Sequence, residues 1–349
     1  MYYRGFDGLR AISVILVLIA HLGVQQMIPT QYVNHAWPLI SGYTGVRIFF
    51  VISGFLITTL LIAEKTTYAK ISYKNFIIRR GLRIVPCFLM FLTVIYLLGQ
   101  AGAIKATAIA LLWSALYAYN FVSLENYTNE LAHTWSLAVE EHFYLFWPLL
   151  ISLVTVHRSL IVALILILIC GALTQFLLVH PTFAQNWFPE RWTIPGIGPI
   201  LIGCSFAIIN QTWSRAAIAF RHPFTISLSA ILYCASIWLP VGLHGIHFLI
   251  QSTGIGLALV WLIHRPSSMM TRGLEVRFLR YVGQISYGIY IWQGLFLTNG
   301  PTGTLWIQQF PQNLMLTFLV ATLSFYVIEK PCLRFKDMRF TADSLRQKT

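Results

Sequence analysis

Residues 7–21 of this chain read DGLRAISVILVLIAH, an apolar run that carries one arginine, Arg10, and one histidine, His21. Eleven residues at about 100° each make close to three helical turns, so both side chains are expected on one helix face, roughly 16 Å apart. Ionisable groups at membrane depth cost ~2.5–3.5 kcal/mol each on insertion scales and usually mark a substrate path or catalytic site. The stretch therefore predicts a membrane helix with one functional face, along which a substrate is held end-on across the bilayer.

The composition is that of a polytopic membrane protein. Of 349 residues, 57% are hydrophobic and 10% are charged, and apolar runs recur along the whole length. The formal net charge is +13, but the basic residues fall in short loops between apolar segments. Orientation in the membrane explains that placement better than nucleic-acid binding does. We therefore predict an all-α integral membrane protein embedded in the lipid bilayer, with no nucleic-acid partner.

Eleven apolar segments are candidate membrane spans, and the loops with and without positive charge decide which of them cross. Both termini and the basic loops are expected in the cytoplasm. That orientation leaves a bundle of about ten transmembrane helices, with residues 104–122 as a re-entrant or interfacial segment. One transmembrane domain, residues 1–335, is expected, followed by a short basic cytoplasmic tail, residues 336–349. The segments cover residues 8–24, 43–63, 84–99, 104–122, 137–155, 159–179, 195–210, 223–239, 246–264, 283–299 and 313–329.

His21 is the first candidate catalytic residue. Imidazole titrates near neutral pH without special tuning, which suits a general base. The alternative interpretation is a histidine that is simply hydrogen-bonded inside the bundle. Arg10 on the same helix face favours the functional interpretation.

A second candidate group is the stretch RRGLRIVP at residues 79–86. Arg80 and Arg83 are three residues apart and would be neighbours on one face if the approach to the third span is helical. Two guanidinium groups form a good fork for phosphate oxygens. The alternative is a positive anchor that contacts anionic lipid, and it is the simpler interpretation of these residues taken alone.

The third candidate group lies in HTWSLAVEEHFY at residues 133–144. Two adjacent carboxylates at the start of an apolar run cannot both face lipid, so Glu140 or Glu141 is expected to point into the bundle and could orient a histidine. The alternative is a negative charge that complements a helix N-terminus. Trp135 and Ser136 are candidate hydrogen-bond donors to a reaction oxyanion.

The five cysteines are scattered, with no CxxC or Cys/His spacing. This pattern predicts small buried side chains rather than a metal site or a disulfide framework. We expect no metal and no tightly bound cofactor.

Six motifs, in order along nearly the whole chain, resemble those of the acyltransferase 3 family of bacterial membrane proteins, which O-acylate extracytoplasmic glycans. The resemblance implies a bundle of about ten spans that takes an acyl group, commonly acetyl, from cytoplasmic acyl-CoA. It also implies functional roles for Arg10 with His21, for Arg80 with Arg83, and for Glu140. The motifs are Asp7-Gly8-Leu9-Arg10 through His21, Gly45 to Ile57 ending in FFVISGFLI, Arg80-x-x-Arg83-Ile84-x-Pro86, His133-x-Trp135-Ser136-Leu137-x-Val139-Glu140, Ser286-Tyr287-Gly288-Ile289-Tyr290-Ile291-Trp292, and Tyr326-x-Ile328-Glu329-Lys330-Pro331.

Two positions depart from the family pattern. Residue 47 is arginine where an acidic residue is frequent, and residue 293 is glutamine where many relatives have histidine. No role that depends on that carboxylate or that imidazole is carried over to this chain.

The resulting hypothesis is a transfer of an acyl group from acyl-CoA to a hydroxyl of a surface polysaccharide or lipid-linked oligosaccharide, in the bacterial cytoplasmic (inner) membrane. Arg80 and Arg83, with Arg10, would hold the donor diphosphate. His21 would act as the base, and Glu140 would fix its tautomer. A competing hypothesis is a transporter or flippase of a lipid-linked or small anionic substrate, which would also use intramembrane charges.

Overall fold

The computed structural model describes residues 3–23, 41–239, 243–297, 305–336 and 338. Within these ranges the chain is almost entirely helical and contains no β-strand, and an isolated bridge joins Ser123 to Trp187. Short 3-10 helices and turns connect the helices. In chain order the helices are α1 Phe6–His21, α2 Gly42–Tyr68, α3 Tyr73–Gln100, α4 Ala108–Ala115, α5 Thr134–Leu153, α6 Val156–Val179, α7 Thr193–Thr212, α8 Ser214–Arg221, α9 Pro223–Ala235, α10 His244–His264, α11 Met269–Leu274, α12 Arg277–Gln284, α13 Ser286–Phe296 and α14 Gln312–Ser324, which continues through a π-helical turn at Phe325–Glu329.

Several helices begin at an N-cap residue with a hydroxyl side chain. Ser41, Thr107 and Thr155 each accept a hydrogen bond from the backbone N–H three residues later, which satisfies one of the free donors at the start of α2, α4 and α6. These N-cap residues, which lie between the apolar segments, therefore fix where the three helices begin.

The number of spans is the main difference from the sequence-based expectation. Among the described residues, six helices are long and apolar enough to cross a membrane, and α8 with α9 would make a seventh although the pair is bent by 73°. The expected count of ten is not reached by this criterion. Helix α1 has 16 residues, or about 24 Å, and α13 has only 11. Helix α5 has 20 residues but carries two adjacent glutamates.

The segment at 104–122 contains only a short helix. Helix α4 has eight residues, about 12 Å of rise, against a hydrocarbon core of about 30 Å. It is followed by a 3-10 turn at Tyr119–Phe121. The helix is too short to span, in agreement with the expectation that this segment is re-entrant or interfacial.

Glycines bring the backbones of α2 and α7 into direct contact at two levels. A methyl group on Gly203 of α7 would lie 2.1 Å from the carbonyl oxygen of Val51, and one on Gly54 of α2 would overlap the carbonyl oxygen of Ile200. Small residues of this kind let membrane helices approach closely enough for backbone packing to hold them together. The α2–α7 pair is therefore a rigid centre around which the other helices are arranged.

Helix α1 is held in the same way on two sides. The Ser13 hydroxyl donates to the Gly45 carbonyl of α2 across 2.7 Å. On the other side, a Cβ on Gly283 of α12 would overlap the backbone of Asp7. These contacts leave α1 little freedom to rotate, and so they set the direction in which Arg10 and His21 point.

Gly203→Ala is expected to lower the stability of the protein by about 1–3 kcal/mol, because the added methyl forces α2 and α7 apart. The measurement is the thermal unfolding midpoint in detergent. Gly273→Ala on α11 is the matched control, since a Cβ there meets no atom within 4 Å and alanine favours helix formation. Equal midpoints for the two variants would contradict the packing argument.

Cys87, Cys170 and Cys204 are buried, as expected, whereas Cys234 is exposed. All five cysteines are free thiols. Parts of three predicted loop or tail segments lie outside the described residues. They are most of the loop at 25–42, the first part of the loop at 299–312 (up to residue 304), and nearly all of the predicted tail at 336–349.

Candidate functional site

Three cavities follow one face of α1. The arginine-side cavity, of about 240 Å³, is lined by Arg10 near the start of the helix, and the histidine-side cavity, of about 250 Å³, by His21 at its end. Between them, a connecting cavity of about 20 Å³ is lined by Arg10, Val14 and Val17. Residues 10, 14, 17 and 21 recur at helical spacing, so the predicted single face of α1 is present.

The arginine-side cavity brings together the three arginines singled out from the sequence. Arg10 reaches it from α1, and Arg80 and Arg83 reach it from α3. Helix α3 begins at Tyr73, so the approach to the third span is helical, which was the condition for Arg80 and Arg83 to be neighbours.

The guanidinium groups of this cavity have few ionic partners. Within the described residues, neither Arg80 nor Arg83 has a carboxylate within 4 Å, and Arg10 has only Asp7, at 3.9 Å. The Arg80 guanidinium lies over the ring of Tyr144, 5.0 Å from its centroid. Asp7, Glu140 and Glu329 also line the cavity, so it contains equal numbers of basic and acidic side chains.

Glu140 does not orient His21, and that expectation is wrong. Its carboxylate accepts hydrogen bonds from Ser53 of α2 and from Tyr144 on the next turn of α5. Helix α5 begins at Thr134, so Glu140 lies about 9 Å deeper than the His133 end of the helix. That depth places it in the arginine-side cavity, beside Arg10 rather than His21.

Of the two adjacent glutamates, Glu140 is the one that points into the bundle. It is 4% exposed, and it lines both the arginine-side and the connecting cavities. Glu141 is half-buried and lines neither of them.

Glu140→Gln is therefore expected to lower turnover about 10- to 100-fold, because hydrogen bonds to a charged group are worth about 1.5–3 kcal/mol. Glu141→Gln, at the adjacent position, is the matched control and should change turnover much less. The measurement is acyl transfer per molecule at equal membrane abundance. Equal losses in the two variants would show that the carboxylate has been assigned wrongly.

His21 takes its orientation from its own helix. Its Nδ1 lies 2.8 Å from the carbonyl oxygen of Val17. Because a carbonyl only accepts, Nδ1 carries the proton in this contact, and the lone pair is left on Nε2. The Val17 carbonyl thus holds the His21 ring in the tautomer whose Nε2 can accept a proton, and no carboxylate is needed for this.

A second histidine, His133, is buried in the wall of the same cavity at the start of α5. Neither of its ring nitrogens has a hydrogen-bond partner among the described residues. Burial, helped by the nearby His21, lowers the pKa of His133 to about 3. Burial therefore favours the neutral form of the His133 ring.

Ser136 is less available as an oxyanion donor than the sequence suggested. Its hydroxyl lies 2.5 Å from the Tyr290 hydroxyl and 3.1 Å from the carbonyl oxygen of His133. It lines the connecting cavity rather than the histidine-side cavity. These contacts tie α5 to α13.

Trp135 does line the histidine-side cavity, where it lies next to an arginine that the sequence analysis did not select. The Arg191 guanidinium lies 6.0 Å from the Trp135 ring and 4.3 Å from the Phe188 ring. It donates to the Tyr43 hydroxyl at 3.4 Å and is 3.7 Å from Glu190. Arg191 is the only Lys or Arg in residues 179–194, and that isolation was the signal that could have found it.

Arg10 and His21 do not share an open passage. The connecting cavity between them has room for about one water molecule. It shares Arg10, Glu140 and Tyr287 with the arginine-side cavity, and Val17 and Tyr290 with the histidine-side cavity. The expected continuous route is therefore not open in this structure: the cavities adjoin along α1, and the middle one is the smallest.

Comparison with known proteins gives one family. The model of the acyltransferase 3 family, described as an acyltransferase domain, matches residues 3–329. No solved structure matches the chain.

Three similar proteins illustrate the relatives. The chain is 29% identical to the O-acetyltransferase OatA of Staphylococcus aureus, over 95% of this chain and 57% of that protein. It is 27% identical to the putative peptidoglycan O-acetyltransferase YrhL of Bacillus subtilis, over 95% and 55%. It is 29% identical to the peptidoglycan O-acetyltransferase OatA of Listeria monocytogenes, over 95% and 56%. The chain spans a little over half the length of these curated relatives.

Proposed function

This chain belongs to the acyltransferase 3 family, and from that premise we propose that it is a membrane O-acetyltransferase that transfers an acetyl group from acetyl-CoA to a hydroxyl of an extracytoplasmic glycan. The observation that carries the proposal is the pair of cavities on one face of α1, one containing Arg10 with Arg80 and Arg83, the other containing His21. A phosphate-bearing donor needs cations, and a hydroxyl acceptor needs a base. The two cavities supply these groups at separate places.

The arginine-side cavity is proposed as the donor site. Within the described part of the chain, Arg80 and Arg83 have no carboxylate within 4 Å, so their N–H groups would be available to bind the diphosphate of the donor in a fork geometry. Arg10 would add a third cation where this cavity meets the connecting cavity. The flexible arm of the donor would then follow α1 towards His21, and Val17 and Tyr290 would have to move apart to admit it.

His21 is proposed as the general base. Its Nε2 accepts the proton of the sugar hydroxyl while the hydroxyl oxygen attacks the thioester carbonyl carbon. The carbon–sulfur bond breaks, the CoA thiolate leaves, and it is protonated to the free thiol by the imidazolium or by water. The Val17 carbonyl keeps Nδ1 protonated and Nε2 basic at the start of the reaction.

The negative charge that develops on the carbonyl oxygen needs a donor in the same cavity. Trp135 and Arg191 both line it, and Arg191 carries a fixed positive charge. We assign this role to Arg191, with Trp135 beside it, because the Ser136 hydroxyl is engaged by Tyr290.

The acceptor and the orientation follow from the relatives and the charge pattern. Two of the relatives are named for peptidoglycan, so a bacterial surface glycan, either polymeric or lipid-linked, is the acceptor class. The positive loops support a donor site at the cytoplasmic face of the inner membrane, in a bundle that we propose to have about ten spans in total.

The test uses the purified chain in sealed vesicles, with labelled acetyl-CoA supplied on one side and a deacetylated bacterial surface glycan on the other. Label in the glycan, together with release of free CoA, supports the enzyme. Movement of a substrate across the vesicle wall with neither product would support the transporter hypothesis. Transfer only when donor and acceptor are on the same side would contradict the proposed transmembrane arrangement.

A further inference from the structure

The largest cavity described here adjoins the histidine-side cavity. It encloses about 490 Å³, within the usual range of ligand pockets, about 300–1,000 Å³. Tyr43, Val46, Arg47 and Phe50 line it from α2, at the i, i+3, i+4 and i+7 spacing of one helix face. We call it the Arg47 cavity.

Arg47 is a half-buried cation whose contacts within the described residues are with an amide, an imidazole and an aromatic ring. Its guanidinium donates to the Gln251 side-chain oxygen at 2.5 Å and lies 3.3 Å from Nε2 of His247. It also lies 6.0 Å from the centroid of the Phe248 ring. All three partners are on α10, so Arg47 joins α2 to α10 across the cavity.

Among the described residues, no carboxylate lies close enough to Arg47 to neutralise its charge. The chain has eleven Asp and Glu residues, and nine of them lie in the described residues, none within 4 Å of Arg47. The other two, Asp337 and Asp343, are in the C-terminal tail. The undescribed stretches 24–40, 240–242 and 298–304 contain no Asp or Glu at all.

An unpaired cation at this depth is costly unless something supplies the counter-charge. Two hydrogen-bond acceptors and an aromatic face reduce that cost without cancelling the charge. A carboxylate on a bound ligand would cancel it, and planar guanidinium binds carboxylate in a two-point geometry.

The position of the cavity connects it to the acceptor side of the reaction. Tyr43, Val46 and Trp135 line both the Arg47 cavity and the histidine-side cavity. The rings of Tyr43 and Trp135 are 6.2 Å apart, and they offer flat apolar faces with a polar edge, which suit the C–H face of a sugar ring. A sugar seated against them can place a hydroxyl near His21 and another substituent near Arg47.

We propose that the Arg47 cavity binds the acceptor glycan and selects acceptors that carry a carboxylate on or next to the acetylated sugar, with Arg47 as the residue that binds this carboxylate. This inference rests on the proposed function and narrows its substrate class. The other charged groups nearby are Glu190, which lines the cavity, and Arg191, to which Glu190 is paired at 3.7 Å.

The experiment compares one acceptor in two forms: the deacetylated surface glycan of the bacterium that encodes this chain, untreated and with its carboxylates converted to methyl esters. Esterification removes the charge and adds no hydroxyl. For the unmodified protein we expect kcat/KM to fall about 10- to 100-fold on the esterified glycan, the scale of one charged hydrogen-bonded contact. For Arg47→Ala we expect the two forms to be used equally, at the lower level.

Two further variants make the result specific. Arg158→Ala removes an exposed arginine of α6 that lines none of the cavities described here, and it should keep the full preference for the untreated glycan. Arg47→Lys keeps the charge without the two-point geometry and should keep part of the preference. Arg47→Lys also tests whether the effect of Arg47→Ala comes only from loss of the α2–α10 contact. The thermal unfolding midpoints of all variants show whether any of them is destabilised.

Several outcomes would overturn the inference: equal use of both glycans by the unmodified protein, or a preference that survives Arg47→Ala. So would a preference that disappears with Arg191→Ala but not with Arg47→Ala. An Arg47→Ala defect that appears only in vesicles with anionic lipid would mean that a lipid headgroup occupies the cavity. Absence of transfer to either glycan would instead contradict the proposed function, and this inference would fall with it.

Discussion

His21→Ala is expected to abolish measurable acyl transfer, with kcat/KM reduced by about 10²- to 10⁴-fold, the usual contribution of a general base. The Nδ1 contact with the Val17 carbonyl leaves Nε2 unprotonated, and His133 in the same cavity is too buried to take the proton in its place, since its pKa is lowered to about 3. Of the two histidines that line this cavity, only His21 has a ring nitrogen oriented by a hydrogen bond, so we expect its loss not to be compensated by His133. The measurement is transfer of labelled acetyl from acetyl-CoA to a glycan by purified protein.

The matched control is His157→Ala, which removes an exposed histidine near the start of α6 and should leave transfer unchanged. Membrane abundance and donor binding should be normal in both variants. If His21→Ala retains more than a small fraction of the activity, His21 is not the base, and the histidine-side cavity loses its proposed chemistry.

The double variant Arg80→Ala with Arg83→Ala is expected to weaken donor binding by about 10²- to 10⁴-fold. Each lost hydrogen bond to a charged phosphate oxygen contributes about 1.5–3 kcal/mol. Among the residues that the structure describes, neither guanidinium has a carboxylate within 4 Å that competes with the donor for it. The effect should appear in the KM or Kd for acetyl-CoA, and the acceptor KM should change little.

Two controls separate donor binding from membrane anchoring. Lys70→Ala with Lys74→Ala removes two exposed cations near the start of α3 that do not line the arginine-side cavity, so donor affinity should be retained. Lysine at 80 and 83 should give an intermediate affinity, because it keeps the charge but loses the fork. Normal donor affinity with reduced membrane abundance in the alanine variant would instead establish the lipid-anchor interpretation.

The local features of the site could be predicted from the sequence because they depend only on helix geometry. Arg10 and His21 lie on one face of α1 because eleven residues make three turns. Arg80 and Arg83 line one cavity because three residues make most of a turn and α3 extends back to Tyr73. In each case both residues belong to one helix, so no knowledge of neighbouring helices was needed.

Contacts between helices could not be predicted in the same way, because hydropathy gives no relative depth or rotation. Glu140 was expected beside His21, but it meets Ser53, 87 positions away, since α5 places it deeper in the bundle than the His21 end of α1. The count of ten spans is not confirmed for a related reason: apolar segments mark buried as well as lipid-facing residues, and a short helix such as α13, with 11 residues, does not meet the length expected of a span.

The order of residues therefore determined by itself the helical class, the family motifs and the spacing of side chains along each helix. The spacing follows from the period of the helix. What only the tertiary structure decided was which cavity each side chain enters, that the cavity between the Arg10 and His21 ends of α1 has room for about one water molecule, and that Arg47 donates to Gln251. These outcomes depend on how close the helix backbones approach, and glycine contacts such as that of Gly203 with Val51 set that distance across more than 150 residues of sequence.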